Sequence, residues 1–142
     1  GRKLAQGFIP HWAAVAADPA NPEYSAGVKF TETPKVVFSR TLTETRAEWE
    51  NTVLAQGDLA EEIGRLKQQP GGDIIVYGGA AFVSALVAHR LIDELHLFIN
   101  PAVIGRGLTI FGALESKQEF NLLNASAFDC GIVVLKYAPK GE

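Results

Sequence analysis

Residues 74–87 read IIVYGGAAFVSALV, and this stretch decides the fold. A β-branched run ends at Gly78 and Gly79 and passes at once into an uncharged, helix-like pattern. A strand that stops at paired glycines just before a helix leaves N–H groups facing open space. No Cβ blocks a ligand there, and the helix dipole adds partial positive charge. Such a corner suits a phosphate and points to a nucleotide cofactor. It lacks the longer spaced-glycine fingerprint of the dinucleotide-binding βαβ unit. A tight strand–helix turn that binds nothing is the alternative reading of the same residues.

The chain has 142 residues, 47% hydrophobic and 20% charged. That is enough for one domain with a real core, and it is unlike a disordered segment. With a net charge of −3 and no basic run longer than Arg2 and Lys3, it has no electrostatic footprint for nucleic acid or an anionic membrane. Cys130 is the single cysteine, so an intrachain disulfide is impossible and a cytoplasmic location is expected. The uncharged stretch 74–89 is short for a membrane span and is broken by the glycine pair. Gly1 is not an initiator methionine, and its neighbours already read as a helix start. We expect one domain over 1–142 that lacks an N-terminal segment.

Outward from residue 74 the pattern alternates. Leu4, Phe8, Trp12 and Val15 give helical spacing over 2–17, with Pro10 expected to kink or split it. Pro19, Asn21, Pro22 and Gly27 make 18–27 a loop or a broken helix. KVVF at 35–38 is a strand, 39–48 is polar with Trp49 packing beside it, and 52–55 is a second strand. Asp58 then caps a helix with Glu61 three residues on, and Leu59, Ile63 and Leu66 form its buried stripe. A Glu61–Arg65 pair is expected on its wet side. A strand at 73–77, a helix at 79–90 and a strand at 94–99 follow. Two strands at 118–127 and 131–138 close the chain as an antiparallel hairpin. The sum is an α/β fold, a mostly parallel central sheet flanked by helices with a C-terminal antiparallel hairpin.

Five segments in this order resemble the dihydrofolate-reductase-like superfamily. They are GRK at 1–3, VVFSRTL at 36–42, GDLAEEIGRLK at 57–67, DIIVYGGAAFVSALV at 73–87 and LIDELHLFINPAVIGRGLTIF at 91–111. Within it, the chain is closest to the C-terminal reductase domain of bacterial riboflavin biosynthesis and its uncharacterised relatives. The resemblance implies NADPH and hydride transfer to a small pterin-, pyrimidine- or ribose-containing substrate, as in 5-amino-6-(5-phosphoribosylamino)uracil reductase or dihydrofolate reductase. It also implies a homodimer. Residue by residue, it puts Gly1 and Arg2 against the cofactor phosphates and Ser39 and Arg40 beside the adenosine 2′-phosphate. Gly78 and Gly79, with the amides of Ala80 and Ala81, lie under the pyrophosphate. A 2′-phosphate does call for a hydroxyl and a guanidinium able to give charge-assisted bonds. Two departures stand out. Leu4 replaces a phosphate-contacting threonine of many relatives, and the family's opening strand with its acidic, aspartate–glycine segment has no match.

The remaining candidates carry two readings each. Trp12 and Phe8 either line a substrate pocket, as the corresponding helix does in relatives, or pack in the core. Arg106, between Gly105 and Gly107, meets a substrate phosphate or simply forms a surface turn. His96 packs on a helix or contacts a partner chain, and the scattered histidines exclude a metal-ligand pattern. No catalytic acid or nucleophile stands out, which hydride transfer tolerates because the cofactor carries the chemistry. The alternative to a reductase is a non-catalytic nucleotide-binding or dimerising domain of the same fold.

Overall fold

The computed structural model describes residues 1–44 and 49–141. The chain divides into two compact units, Gly1–Gly79 and Ala80–Glu142.

The first unit opens with α1 (Arg2–Ala16), followed by α2 (Tyr24–Glu32), β1 (Lys35–Phe38), β2 (Thr52–Ala55) and α3 (Leu59–Lys67). β1 and β2 are parallel, with Lys35 opposite Thr52 and Phe38 opposite Ala55. Their apolar residues meet α1 in one cluster of Ala5, Ile9, Val37 and Trp49, with Phe8, Leu42 and Leu54 packed against it. Trp49 is thus a packing residue, as its position beside β2 implies.

Two expectations about the helices are corrected. α1 is one helix through Pro10, so the expected split does not occur. The ring forfeits one N–H bond, yet the buried stripe of Ala5, Ile9 and Val15 holds both halves on one surface. The expected loop holds for 18–23 but not for 24–27, which belong to α2. Asp18 and Asn21 make short side-chain turns to the amides of Ala20 and Glu23 at 3.0 and 2.9 Å, and α2 then starts at Tyr24. Gly27 lies inside α2 rather than ending a loop. A Cβ there would sit 2.7 Å from the Ala16 backbone nitrogen and 2.8 Å from Val15 Cγ1, so glycine is what lets the two helices touch.

α3 starts as the sequence indicates, with Asp58 accepting from the amides of Ala60 and Glu61 at 2.9 and 3.1 Å. Its ion pair differs, since Arg65 meets Glu62 at 2.7 Å across i,i+3 instead of Glu61. Residues 73–77 form no strand and no ladder with any described strand. The expected strand is corrected accordingly. Its β-branched side chains favour extension, but a strand needs hydrogen-bonded neighbours, and Ile74, Ile75, Val76 and Tyr77 stay 51, 65, 39 and 62% exposed. The polar 39–48 segment falls partly on 45–48, outside the described residues.

The second unit holds α4 (Ala80–Ala88), β3 (Leu95–Ile99), β4 (Phe120–Ala127) and β5 (Val133–Pro139). α4 ends in a Schellman arrangement. The Arg90 amide bonds the Val87 carbonyl at 3.0 Å, the Leu91 amide bonds the Leu86 carbonyl at 2.9 Å, and Arg90 takes a φ of 55°. Gln118 donates to the Val87 carbonyl at 3.0 Å, and buried Ser84 accepts from the Ala113 amide at 2.7 Å. These bonds tie the 111–118 connection to the helix.

The sheet order is β3-β5-β4, all antiparallel, with the terminal hairpin where the sequence places it. Register puts Leu95, Tyr137 and Leu122 in one row, with Leu97, Leu135 and Ala125, then Ile99, Val133 and Ala127, beside it. One face is therefore wholly apolar. The other carries His96, Lys136 and Asn124, where Glu94 accepts from Lys136 at 2.8 Å and contacts His96 at 3.1 Å. His96 is an exposed member of that charged cluster rather than a residue packed on a helix. The class is α/β, and among the described residues the parallel pairing is that of β1 with β2.

Candidate functional site

The first unit holds most of the candidate residues. Gly1 caps α1 without a side-chain bond, no acidic residue stands in that helix's first turn, and Arg2 is exposed beside it. This leaves an anion-compatible helix start.

Ser39 and Arg40 follow the C-terminal end of β1. The Ser39 amide continues the ladder to the Ala55 carbonyl at 3.2 Å. Its Oγ accepts from the amides of Leu42 and Thr41 at 3.0 and 3.3 Å, and the Gln56 side chain donates to the Leu42 carbonyl. The Ser39 hydroxyl shapes this turn, so only its O–H is left to give to a ligand. Arg40 stands exposed at the turn.

Gly78 and Gly79 have φ of 131° and 85°, the region that side chains rarely adopt. A Cβ on Gly78 would meet nothing within 4 Å, so this glycine is required by backbone conformation and the space above it is open. Both observations fit a group that needs bare amides. Ala80 and Ala81 form the first turn of α4, again without an acidic residue. Arg106 lies in the second unit on the exposed 100–110 connection, with its amide bonded to the Ile104 carbonyl at 2.8 Å.

Trp12 does not pack in the core cluster. It lines a cleft of about 280 Å³ with Phe8, Phe30, Thr31, Lys35 and Glu50, backed by the small face of α1. Trp12 and Phe30 rings are 4.6 Å apart, and Phe8 and Phe30 are 5.2 Å apart. Tyr77 stacks on Phe8 at 6.1 Å and meets Phe30 edge-on at 5.4 Å. The aromatic set therefore joins Trp12 to the residue immediately before Gly78.

Lys35 closes one end. Its Nζ donates to the carbonyls of Phe30, Thr31 and Thr33 at 3.0, 2.9 and 2.9 Å, capping α2. Burial holds its ammonium below the ordinary lysine value, and the Glu50 carboxylate opposes that shift. With three carbonyls on one ammonium, Lys35 braces the wall and is not a free cation for a ligand.

The family profile of the RibD C-terminal domain matches residues 1–134. The chain belongs to that family. YyaP, an uncharacterized protein of Bacillus subtilis, is 33% identical to this RibD C-terminal domain over 103 residues, 72% of this chain and 53% of its own. YwjB of the same bacterium is 33% identical over 64 residues, 45% of this chain and 37% of its own. The chain spans about half or less of the length of the curated relatives it matches. A putative riboflavin biosynthesis protein from Shewanella shares the fold at a TM-score of 0.70 and 22% identity, over 92% of this chain and 88% of that one. A pyrimidine reductase-like protein from Corynebacterium diphtheriae does so at 0.55 and 16%, over 85% and 54%. The dihydrofolate-reductase-like resemblance read from five short segments is in accord with these matches.

Sequence reading of this RibD C-terminal domain found Trp12 and Phe8 but missed Phe30, Thr31, Lys35, Glu50 and Tyr77. Tyr77 carried a signal, an aromatic placed directly before the glycine pair. The others come from three separate segments and had none. Among the described residues no group of three His, Cys, Asp or Glu is placed to hold a metal, and no helix is long and apolar enough to cross a membrane.

Proposed function

We propose that the chain is an NADPH-dependent reductase that adds a hydride and a proton across a C=N or C=O bond of a small heterocyclic substrate. One observation carries this reading: the open, positive-φ turn at Gly78 and Gly79 directly follows Tyr77, whose ring stacks on the Phe8 wall of the aromatic cleft. A turn suited to phosphate oxygens is thereby coupled to a slot suited to a flat ring. NADPH, when bound, supplies the hydride and leaves as NADP⁺. The amides around Gly78 and Gly79, including those of Ala80 and Ala81, receive the pyrophosphate. Arg40 and the free O–H of Ser39 take the 2′-phosphate, and Gly1 and Arg2 assist at the phosphates. Trp12 lines the acceptor pocket, and Arg106 meets a substrate phosphate. The protein's contribution is orientation rather than acid catalysis, with water giving the proton.

Further parts of the reading are a homodimer and a cytoplasmic location. The partly exposed apolar sheet face at Ile99 and Leu122 supports the first, and the single exposed, unpaired Cys130 supports the second.

Titrating NADPH and NADH into the natural full-length protein tests the cofactor assignment. NADPH should bind at least tenfold more tightly, and Arg40→Ala should erase the preference. Equal affinities, unchanged by Arg40→Ala, would remove the 2′-phosphate assignment. Leu4, 40% exposed on the first turn of α1 in place of a phosphate-binding threonine, favours the second reading, a non-catalytic nucleotide-binding domain. NADPH binding without its oxidation over a panel of pterins and riboflavin precursors would select it.

A further inference from the structure

The turn that carries Arg40 is gripped from two directions. Ser39 Oγ takes the amides of Thr41 and Leu42 at 3.3 and 3.0 Å from inside the turn. From the end of the neighbouring strand, Gln56 Nε2 donates to the Leu42 carbonyl. Leu42 is thus held at both its N–H and its C=O, and its side chain packs against the cluster of Ala5, Ile9, Val37 and Trp49. Arg40 and Thr41, between the Ser39 and Leu42 anchors, stay exposed. Topology brings the clamp together. β1 and β2 run parallel, the Ser39 amide extends their ladder to the Ala55 carbonyl, and Gln56 is the next residue. Turn and glutamine therefore share the C-terminal edge, where parallel strands receive ligands.

We propose that Gln56 is a positioning residue for 2′-phosphate recognition: through the Leu42 carbonyl it holds the 39–42 turn in the form that presents Arg40. The bond does little for the fold itself, because Gln56 is exposed and a solvated side-chain bond has small net worth in stability. It does more for a guanidinium. Bidentate pairing with a phosphate needs fixed geometry, and a turn ordered beforehand need not be ordered at the moment of binding. Glutamine also donates without bringing charge to the site. A glutamate here would offer only acceptors to the carbonyl and a like charge to the phosphate. The inference rests on the 2′-phosphate reading of Arg40, but not on any hydride transfer or substrate.

The test uses the natural full-length protein, Gln56→Met, Arg40→Ala and the double variant. Adenosine 2′,5′-bisphosphate and adenosine 5′-monophosphate are the probes, titrated by calorimetry, and thermal unfolding follows the ligand-free proteins. Methionine approximates the length of glutamine and cannot donate. Gln56→Met should weaken the bisphosphate about fivefold and leave the monophosphate within about twofold. Its Tm should stay within about 2 °C of wild type. In the Arg40→Ala background Gln56→Met should cost nothing further, because a residue that acts through Arg40 has nothing left to position. Unchanged bisphosphate affinity in Gln56→Met overturns the proposal. Equal losses for both probes, additive losses in the double variant, or a larger fall in Tm do so too, since each assigns the bond to the fold. A wild type with no preference for the bisphosphate removes the 2′-phosphate reading and this proposal together, and that outcome is visible before any variant is made.

Discussion

Replacing Gly27 with alanine tests how α1 and α2 are held together. Two effects compete. In a helix interior alanine is favoured over glycine by up to about 1 kcal/mol. Against this, the new methyl would stand 2.7 Å from the Ala16 nitrogen, 2.8 Å from Val15 Cγ1 and 3.1 Å from the Val15 carbonyl carbon. Two of those atoms belong to backbone, which cannot swing aside, so α2 must back away from α1. Overpacking of this kind costs about 1–3 kcal/mol, and a contact with a neighbouring helix backbone belongs at the upper end. The net expectation is a loss of about 2 kcal/mol, or about 6 °C in Tm. Gly64→Ala is the control, because it too is inside a helix and its methyl would meet nothing within 4 Å. There only the propensity term remains, and a gain of up to about 1 kcal/mol is expected. Urea and thermal unfolding of both variants give the comparison. If Gly27→Ala proves as stable as wild type, the helices do not approach as described and the cleft between them loses its wall.

Other consequences are simpler to check. Asp58→Ala removes an acceptor shared by two amides at 2.9 and 3.1 Å and should cost about 1 kcal/mol in urea unfolding, while Asp58→Asn should retain most of it. The carboxyls of Glu94 and Glu119 are held below their ordinary value of 4.5, the first mainly by Lys136 and then His96, the second mainly by Lys117 and then Lys140. A depressed carboxyl contributes stability that is complete above its unfolded value and disappears as pH falls through the lower folded one. Tm should therefore decline on acidification below about pH 4.5, and the Glu94→Gln, Glu119→Gln double variant should flatten that limb; an unchanged limb would discount both clusters.

Local signals in the sequence were good guides where the structure is itself local. KVVF and TVLA became strands with the expected limits, and Asp58 began α3 because a cap needs only the next three residues. The C-terminal hairpin declared itself through apolar runs on either side of a Gly-containing turn. α2 was hidden because Pro19, Asn21 and Pro22 punctuate its approach, and Gly27 looks like a breaker until its neighbour is known. Arg65 had two acidic partners within reach, and the choice of Glu62 over Glu61 depends on rotation about the helix. The cleft was least visible. It takes one face of α1, the end of α2, the first residue of β1 and Glu50, which no sequence window spans. Residues 73–77 show the converse. Their β-branched composition specifies extension, but composition cannot supply the neighbours that make extension a sheet.

That bare ribbon has a practical consequence. Residues 74 to 77 join no ladder with a described strand, and they carry apolar side chains that water solvates poorly. Any extended polypeptide that reaches it can zip on, including the same four residues of another molecule. Handled alone and concentrated, these 142 residues should therefore self-associate through Ile74 to Tyr77, and a lysine at Ile75, the most exposed of the four, should keep them dispersed.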